Sequence, residues 1–309
     1  MGITSFPHGV SSFGVPVVPS AWPVIAGNVY WVGATAGLNW VAGVDSPECG
    51  TKETPFASID YAVGQCTGNN GDVIYVLPGH TDTITATTTM TLDVAGISVI
   101  GLGNGTLRPT ITLGTSTAAT ITISAANVLL SNIIFQTAID ELAAAITVTG
   151  ANCTLDTVDY VEYSASYQTI IGVKVSAATY FTMKNCHHSQ VTAPNGNGGW
   201  VNLAGACNDC VIQNNMFFIN TTNNGNSGTI VGTSAASLRV FICNNLMVNP
   251  AGTSVMSISL YSGSTGLVAW NGAGNPNATG SNTGDAVYFI ESYVEGTVNK
   301  NGVLDPAAA

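Results

Sequence analysis

The sequence predicts an all-β chain wound as a single-stranded parallel β-helix, with an extended N-terminal arm and a short capping helix. Two observations carry most of this. Short segments with alternating apolar residues recur along the chain from about residue 79, with no helical period between them. Charged side chains make up only 7% of the 309 residues while apolar ones reach 46%, so the surface must be coated by Thr, Ser, Asn and Gly. That balance excludes a disordered chain, which is poor in apolar residues and rich in charge. Six scattered basic residues (Lys52, Arg108, Lys174, Lys184, Arg239, Lys300) make no nucleic-acid surface. A net charge of −11 favours solubility and repels phosphate and acidic membranes. No apolar run approaches the ~18 residues of a membrane span, and no basic stretch precedes an apolar core at the N-terminus, so neither membrane nor secretory signal is expected.

Residues 1–28 carry no charge and no period, and Pro7, Pro16, Pro19 and Pro23 hold the backbone extended. Phe6, Phe13, Val15, Val17 and Trp22 make this an arm expected to dock on another protein, exchanging apolar burial for ordering entropy, with folding back along its own domain as the alternative. Residues 29–78 read as a cap. Val29-Tyr30-Trp31-Val32 is a short strand, and Thr54-Pro55 is a helix N-cap with proline at the first position. Phe56, Ile59, Val63 and Cys66 fall on one helix face, Gly68 stops the helix, and Val73-Ile74-Tyr75-Val76-Leu77 is an apolar strand. Such a helix covers the otherwise open edge of a strand stack.

Residues 79–275 are assigned to the coils and 276–309 to a C-terminal strand or tail segment. NVLLSNIIF from Asn127, NCTLDTVDY from Asn152, YFTMKNCHH from Tyr180, CVIQNNMFF from Cys210 and VFICNNLMV from Val240 align as repeats. They place Asn132, Thr157, Asn185, Asn214 and Asn244 in one column, at steps of 25, 28, 29 and 30 residues (132 to 157, to 185, to 214, to 244). Coils of this length bury their inward residues only by stacking on one another. Leu129/Ile133, Leu155/Val158, Met183/Cys186, Ile212 and Ile242/Leu246 are expected to line the bore. Asn132, Asn185, Asn214 and Asn244 are expected to form a buried ladder of stacked amides at a tight inner turn.

The stretch with TPFASIDYAV followed by GDVIYVLPGH resembles the entry of pectate-lyase-like right-handed β-helix proteins. The arm GITSFPHGVSSFGVPV resembles the leaders of virion structural proteins of tailed bacteriophages. Together they imply a head-decoration (cement) protein: a homotrimer on the capsid exterior, assembled in the bacterial cytoplasm, with the major capsid protein as partner.

The residues that carry chemistry are few. A lyase site of the pectate type needs a basic residue beside Asp, and no Lys or Arg of the repeats is expected to adjoin an Asp of a neighbouring coil. Asp156, Asp159 and Glu162, with Asp140-Glu141 one turn earlier, could supply a carboxylate pair for glycoside hydrolysis but alternate with apolar residues, which reads as a solvated exterior. His187-His188 point to opposite faces of a strand and do not chelate one ion. Cys207-x-x-Cys210 has no second pair, so packing near the bore is the expected role. His80 reads as a loop residue. The seven cysteines make no disulfide framework, although Cys49 and Cys66 flank the cap helix. Asn-x-Thr at Asn104, Asn152, Asn220 and Asn277 matters only in a secreted eukaryotic protein. The resulting expectation is a structural protein that cements a capsid, with no catalytic residue, cofactor or metal. The alternative is a β-helix spike or fibre that binds or cleaves host surface polysaccharide.

Overall fold

The computed structural model describes residues 11–12, 15–16, 27–37, 39–85, 90–190, 192, 198–220, 228–248, 256–274, 287–290 and 293–295. They form a right-handed parallel β-helix of three sheets with ten, nine and seven strands. Sheet 1 starts at Val29–Val32 and Val73–Val76 and ends at Val287–Ile290. Sheet 2 runs from Thr81–Ile84 to Tyr293–Glu295, and sheet 3 from Met90–Leu92 to Met256–Ser259. The chain visits sheets 1, 2 and 3 in turn and then starts the next coil. Both strands of the cap are therefore members of sheet 1, and two strands continue the stack beyond residue 275.

Side-chain alternation fills the bore. In sheet 1 the inward stack is Ile74, Val99, Leu130, Leu155, Met183, Ile212, Ile242 and Val268, none more than 1% exposed. Two expected bore residues are corrected by one position, because a single-residue slip turns a strand side chain to the other face. Leu130 points in rather than Leu129, and Met247 rather than Leu246, which is 39% exposed.

The helix is shorter than its sequence signals. It spans Ile59–Gly64, capped by Ser58, whose Oγ accepts from Tyr61 N at 3.2 Å. Thr54-Pro55 lies before it, and Phe56 pairs with Val32 as an isolated bridge. Asp45 overrides the Thr54 cap: its Oδ1 accepts from Ala57 N and Ser58 N, fixing the chain until Ser58. Ile59, Ala62 and Val63 are buried in the main core, and Asp60 Oδ1 accepts from Thr91 N of the first strand of sheet 3. The helix thus covers an open edge both apolarly and by hydrogen bond.

Of the arm, Ser11–Ser12 pairs antiparallel with Val15–Pro16, so the backbone turns back on itself there. Phe6, Phe13, Val17 and Trp22 lie outside the described residues, as does the Val15 side chain.

The corner between sheets 1 and 2 is two residues long. Its first residue is Asn132, Thr157, Asn185, Asn214, Asn244 or Trp270, each with φ between 54 and 57°. In this left-handed conformation the first five send their N–H to a carbonyl of the next coil, as Asn132 N to Asp156 O at 3.0 Å and Asn244 N to Ala269 O at 3.2 Å. The repeat register is that of the sequence alignment, but the ladder is displaced. Asn185, Asn214 and Asn244 are exposed and Asn132 is half-buried. The buried amide ladder is Asn215–Asn245–Asn271, the second corner position, 0–2% exposed. Asn245 Nδ2 donates to Ile212 O and to Asn271 Oδ1 at 2.9 Å, and Asn245 Oδ1 accepts from Asn215 N at 3.1 Å and Nδ2 at 2.9 Å. The physical reason is a division of labour within each Asn-Asn pair. The first amide tolerates the left-handed turn and faces out, while the second leaves that conformation and faces in.

Candidate functional site

Of the carboxylates singled out in the sequence, Asp156 and Asp159 lie at the corner of sheets 1 and 2 and Glu162 just past the sheet 2 strand, each tying coils. Asp140 and Glu141 instead follow Ile134–Ala138 at the far end of sheet 2. Asp156 Oδ2 lies 3.3 Å from Lys184 Nζ, and its Oδ1 accepts from Asn185 Nδ2 at 2.9 Å. Asp159 is paired with the Arg108 guanidinium, which also donates to Thr157 O and Ile133 O. Asp159 Oδ1 accepts from His187 N at 2.7 Å, and Glu162 Oε2 from Thr192 N at 3.0 Å. Asp209 takes a two-pronged contact from Arg239, which holds its carboxyl below the ordinary range. The expectation that no basic residue of the repeats adjoins an Asp is therefore corrected. Lys184 and Arg239 each face an Asp one coil earlier, because Asp156 and Lys184 are register partners and Asp209 and Arg239 share one turn column.

His187 and His188 do point to opposite faces. His188 is fully buried among Phe135, Tyr160, Trp200 and Phe217. Its Nε2 donates to Val158 O at 2.8 Å and its Nδ1 accepts from Trp200 Nε1 at 2.5 Å, which fixes a neutral tautomer. Burial pushes its pKa down to about 4. His80 lies in the loop before Thr81–Ile84, as expected, and is buried there. Its Nδ1 accepts from Ala34 N at 3.0 Å, and burial lowers its pKa to about 4 as well. Both histidines are structural.

Cys207 and Cys210 are buried, and each thiol donates to a carbonyl of the preceding coil, Val175 O at 3.2 Å and Ala178 O at 3.6 Å. Cys207 stands in a hydroxyl column: its N–H donates to Ser237 Oγ and Ser237 N to Ser264 Oγ, both at 3.1 Å. The Cys-x-x-Cys spacing thus reflects two adjacent inward columns. Cys49 and Cys66 are free thiols. Desolvation, reinforced by Asp72, pushes Cys66 up to about 12, leaving it a poor nucleophile. Among the described residues no three His, Cys, Asp or Glu side chains converge as a metal site.

What the sequence reading missed is the placement of surface aromatics. The outward column of sheet 3 is Thr91, Thr122, Thr147, Lys174 and Asn202, in register from coil to coil and therefore about 4.8 Å apart. Lys174 forms no ion pair with the described residues. Tyrosines bracket the strand that carries it. Tyr163 and Tyr167 precede it with rings stacked at 6.1 Å, and Tyr180 follows it. Tyr163 and Tyr180 are each 58% exposed. A signal existed: Tyr180 falls in a second column of left-handed residues, with Asn127, Asn152, Asp209 and Arg239, where a tyrosine gains nothing from the backbone.

No family model matches the chain, and no curated protein does. Among solved structures it is similar to a pectin methylesterase variant in complex with a hexasaccharide, at 14% identity and TM-score 0.55, over 88% of this chain and 94% of that one. It is also similar to a rhamnogalacturonan lyase, at 13% identity and TM-score 0.49, over 89% and 83% of the two chains. The expectation that the chain is not an enzyme is corrected by this finding, since the pectin methylesterase that shares its fold is an enzyme. None of these comparisons supports capsid decoration, a capsid partner or a homotrimer. At this identity the likeness shows one thing: the chain has the right-handed parallel β-helix fold found in the pectin methylesterase.

Proposed function

We propose that the chain engages an extended polysaccharide along the outer face of sheet 3, the spike or fibre alternative rather than capsid cementing. The observation that carries this reading is the face itself. Hydroxyl and ammonium groups stand one per coil at Thr122, Thr147 and Lys174, and exposed tyrosines lie before and after the Lys174 strand. A polymer of sugars has repeating hydroxyls for such a column and apolar ring faces for tyrosine to stack on. In the next coil Asn202 is buried, bonded to Gly198 O at 2.6 Å and Thr233 Oγ1 at 2.8 Å, so the open part of the face ends at Lys174. The fold it shares with a hexasaccharide-bound pectin methylesterase supports the reading.

The test is affinity electrophoresis of the full chain through gels containing neutral or uronate polysaccharides, with soluble reducing ends assayed in parallel. Retardation that is weakened by Lys174→Ala and by Tyr180→Asn is expected. The asparagine keeps a residue suited to the left-handed turn, so folding is spared. A wild-type chain that migrates identically in every gel would sink the proposal.

A further inference from the structure

We infer that Cys207 and Cys210 are a redox-active pair, closing to an internal disulfide when the chain meets a hydroperoxide. Asn208 and Asp209 are the central residues of a tight turn, with Asp209 in the left-handed conformation at φ 58°. A four-residue turn brings its ends within about 7 Å, and the Cα atoms of a disulfide stand about 4.4–6.8 Å apart. The backbone thus already holds the two cysteines at bridging distance. Both side chains are buried, and their thiols meet carbonyls of the same preceding coil, Val175 O at 3.2 Å and Ala178 O at 3.6 Å.

Packing alone does not call for two sulfurs in this turn. The corresponding positions of neighbouring coils are Gly150 and Cys153, Ala178 and Phe181, and Ser237 and Val240, so the bore accepts a residue without sulfur at either place. The two thiols are also unequal. The Cys210 thiol beside it holds Cys207 below the ordinary thiol range, while the same contact, together with burial, raises Cys210. Cys207 is the sulfur that attacks, and Cys210 the one that resolves.

The Cys207 thiolate attacks one oxygen of hydrogen peroxide, an S–O bond forms, the O–O bond breaks, and the departing hydroxide takes up the Cys207 proton as water. The Cys210 sulfur then attacks the sulfenic sulfur of Cys207. The S–S bond forms as the S–O bond breaks, and the hydroxyl leaves with the Cys210 proton as a second water. Two thiols and one peroxide give one disulfide and two waters. The turn is bonded to both neighbouring coils: Asn208 O accepts from Tyr180 N at 2.9 Å, and Asp209 N donates to Leu238 O at 2.8 Å. A bridge across its ends therefore staples the corner that carries Tyr180.

The experiment treats the folded full chain with hydrogen peroxide, blocks the remaining thiols and maps bridged peptides by mass spectrometry, with circular dichroism confirming that the fold is kept. A Cys207–Cys210 bridge, lighter than the dithiol by two hydrogens and reversed by dithiothreitol, is expected. Cys210→Ser should leave Cys207 as a sulfenic acid captured by dimedone, at several times the wild-type yield. Cys207→Ser, which matches Ser237 and Ser264 in its column, should give neither bridge nor dimedone adduct at Cys210. Peroxide-treated wild type that oxidises only Cys49 or Cys66 overturns the proposal. A Cys207–Cys210 bridge that forms only once the chain is unfolded overturns it as well. Equal dimedone capture at Cys207 in wild type and Cys210→Ser overturns the resolving role of Cys210.

Discussion

Replacing Asn245 by alanine tests the displaced ladder at its centre. Asn245 accepts from Asn215 N and Nδ2 and donates to Ile212 O and Asn271 Oδ1. Asn215 Nδ2 keeps Met183 O, and Asn271 Oδ1 keeps the backbone N–H of residue 245. Two backbone groups, Asn215 N–H and Ile212 C=O, are then left without these partners in the core. At about 1–3 kcal/mol for each unsatisfied group, the expected loss is about 2–6 kcal/mol. Asn214→Gly is the matched control one residue earlier. Its side chain is exposed and φ is 57°, a conformation glycine adopts freely, so a change below about 0.5 kcal/mol is expected. Urea unfolding followed by far-ultraviolet circular dichroism reads both through the shift in midpoint. A stacked-coil protein need not unfold in one step, so the midpoints are compared at each transition. If Asn214→Gly is as damaging as Asn245→Ala, the assignment of inner and outer amides is wrong.

Acid should weaken the fold through His80 and His188. Both are buried with folded pKa values of about 4 against an ordinary 6.5. Above pH 6.5 both states are neutral and these groups contribute no slope. Between 6.5 and 4 the unfolded chain binds the protons, costing about 1.4 kcal/mol per pH unit for each histidine. A midpoint that stays flat from pH 7 to 4.5 would contradict this, and His188→Gln should remove about half the slope. Gly172→Ala places a Cβ 2.3 Å from the Trp200 ring, so about 1–3 kcal/mol of destabilisation with an altered near-ultraviolet tryptophan signal is expected; an unchanged spectrum refutes the packing. Arg108→Gln leaves a partly buried Asp159 unpaired and should cost about 3 kcal/mol, whereas Arg239→Gln, on the surface, should leave the unfolding midpoint where it is. Equal effects of the two would refute the distinction between them.

The stacked coils were legible in the sequence because burial on one side of a strand imposes a period of two, and stacking imposes the longer repeat. The column from Asn132 to Asn244 located every corner it covered. What composition could not separate is the two amides of Asn214-Asn215 and Asn244-Asn245, identical in chemistry and opposite in direction. The helix start failed for a similar reason: Thr54-Pro55 is a sound local signal, and the tertiary contact from Asp45 moved the start to Ser58. The ion pairs were missed because Lys184 and Arg239 were read against the sequence around them, while their partners lie 28 and 30 residues earlier. An 8% aromatic content also concealed that Tyr163, Tyr180 and Trp270 are displayed on the surface.

The most direct test of polysaccharide engagement is a structure of the chain crystallised with an oligosaccharide of the polymer that retards it most. The account predicts sugar units following the coil axis over Thr122, Thr147 and Lys174, with a ring against Tyr180 or Tyr163. An oligosaccharide bound only at the capping helix, or running across the coils away from sheet 3, would contradict it.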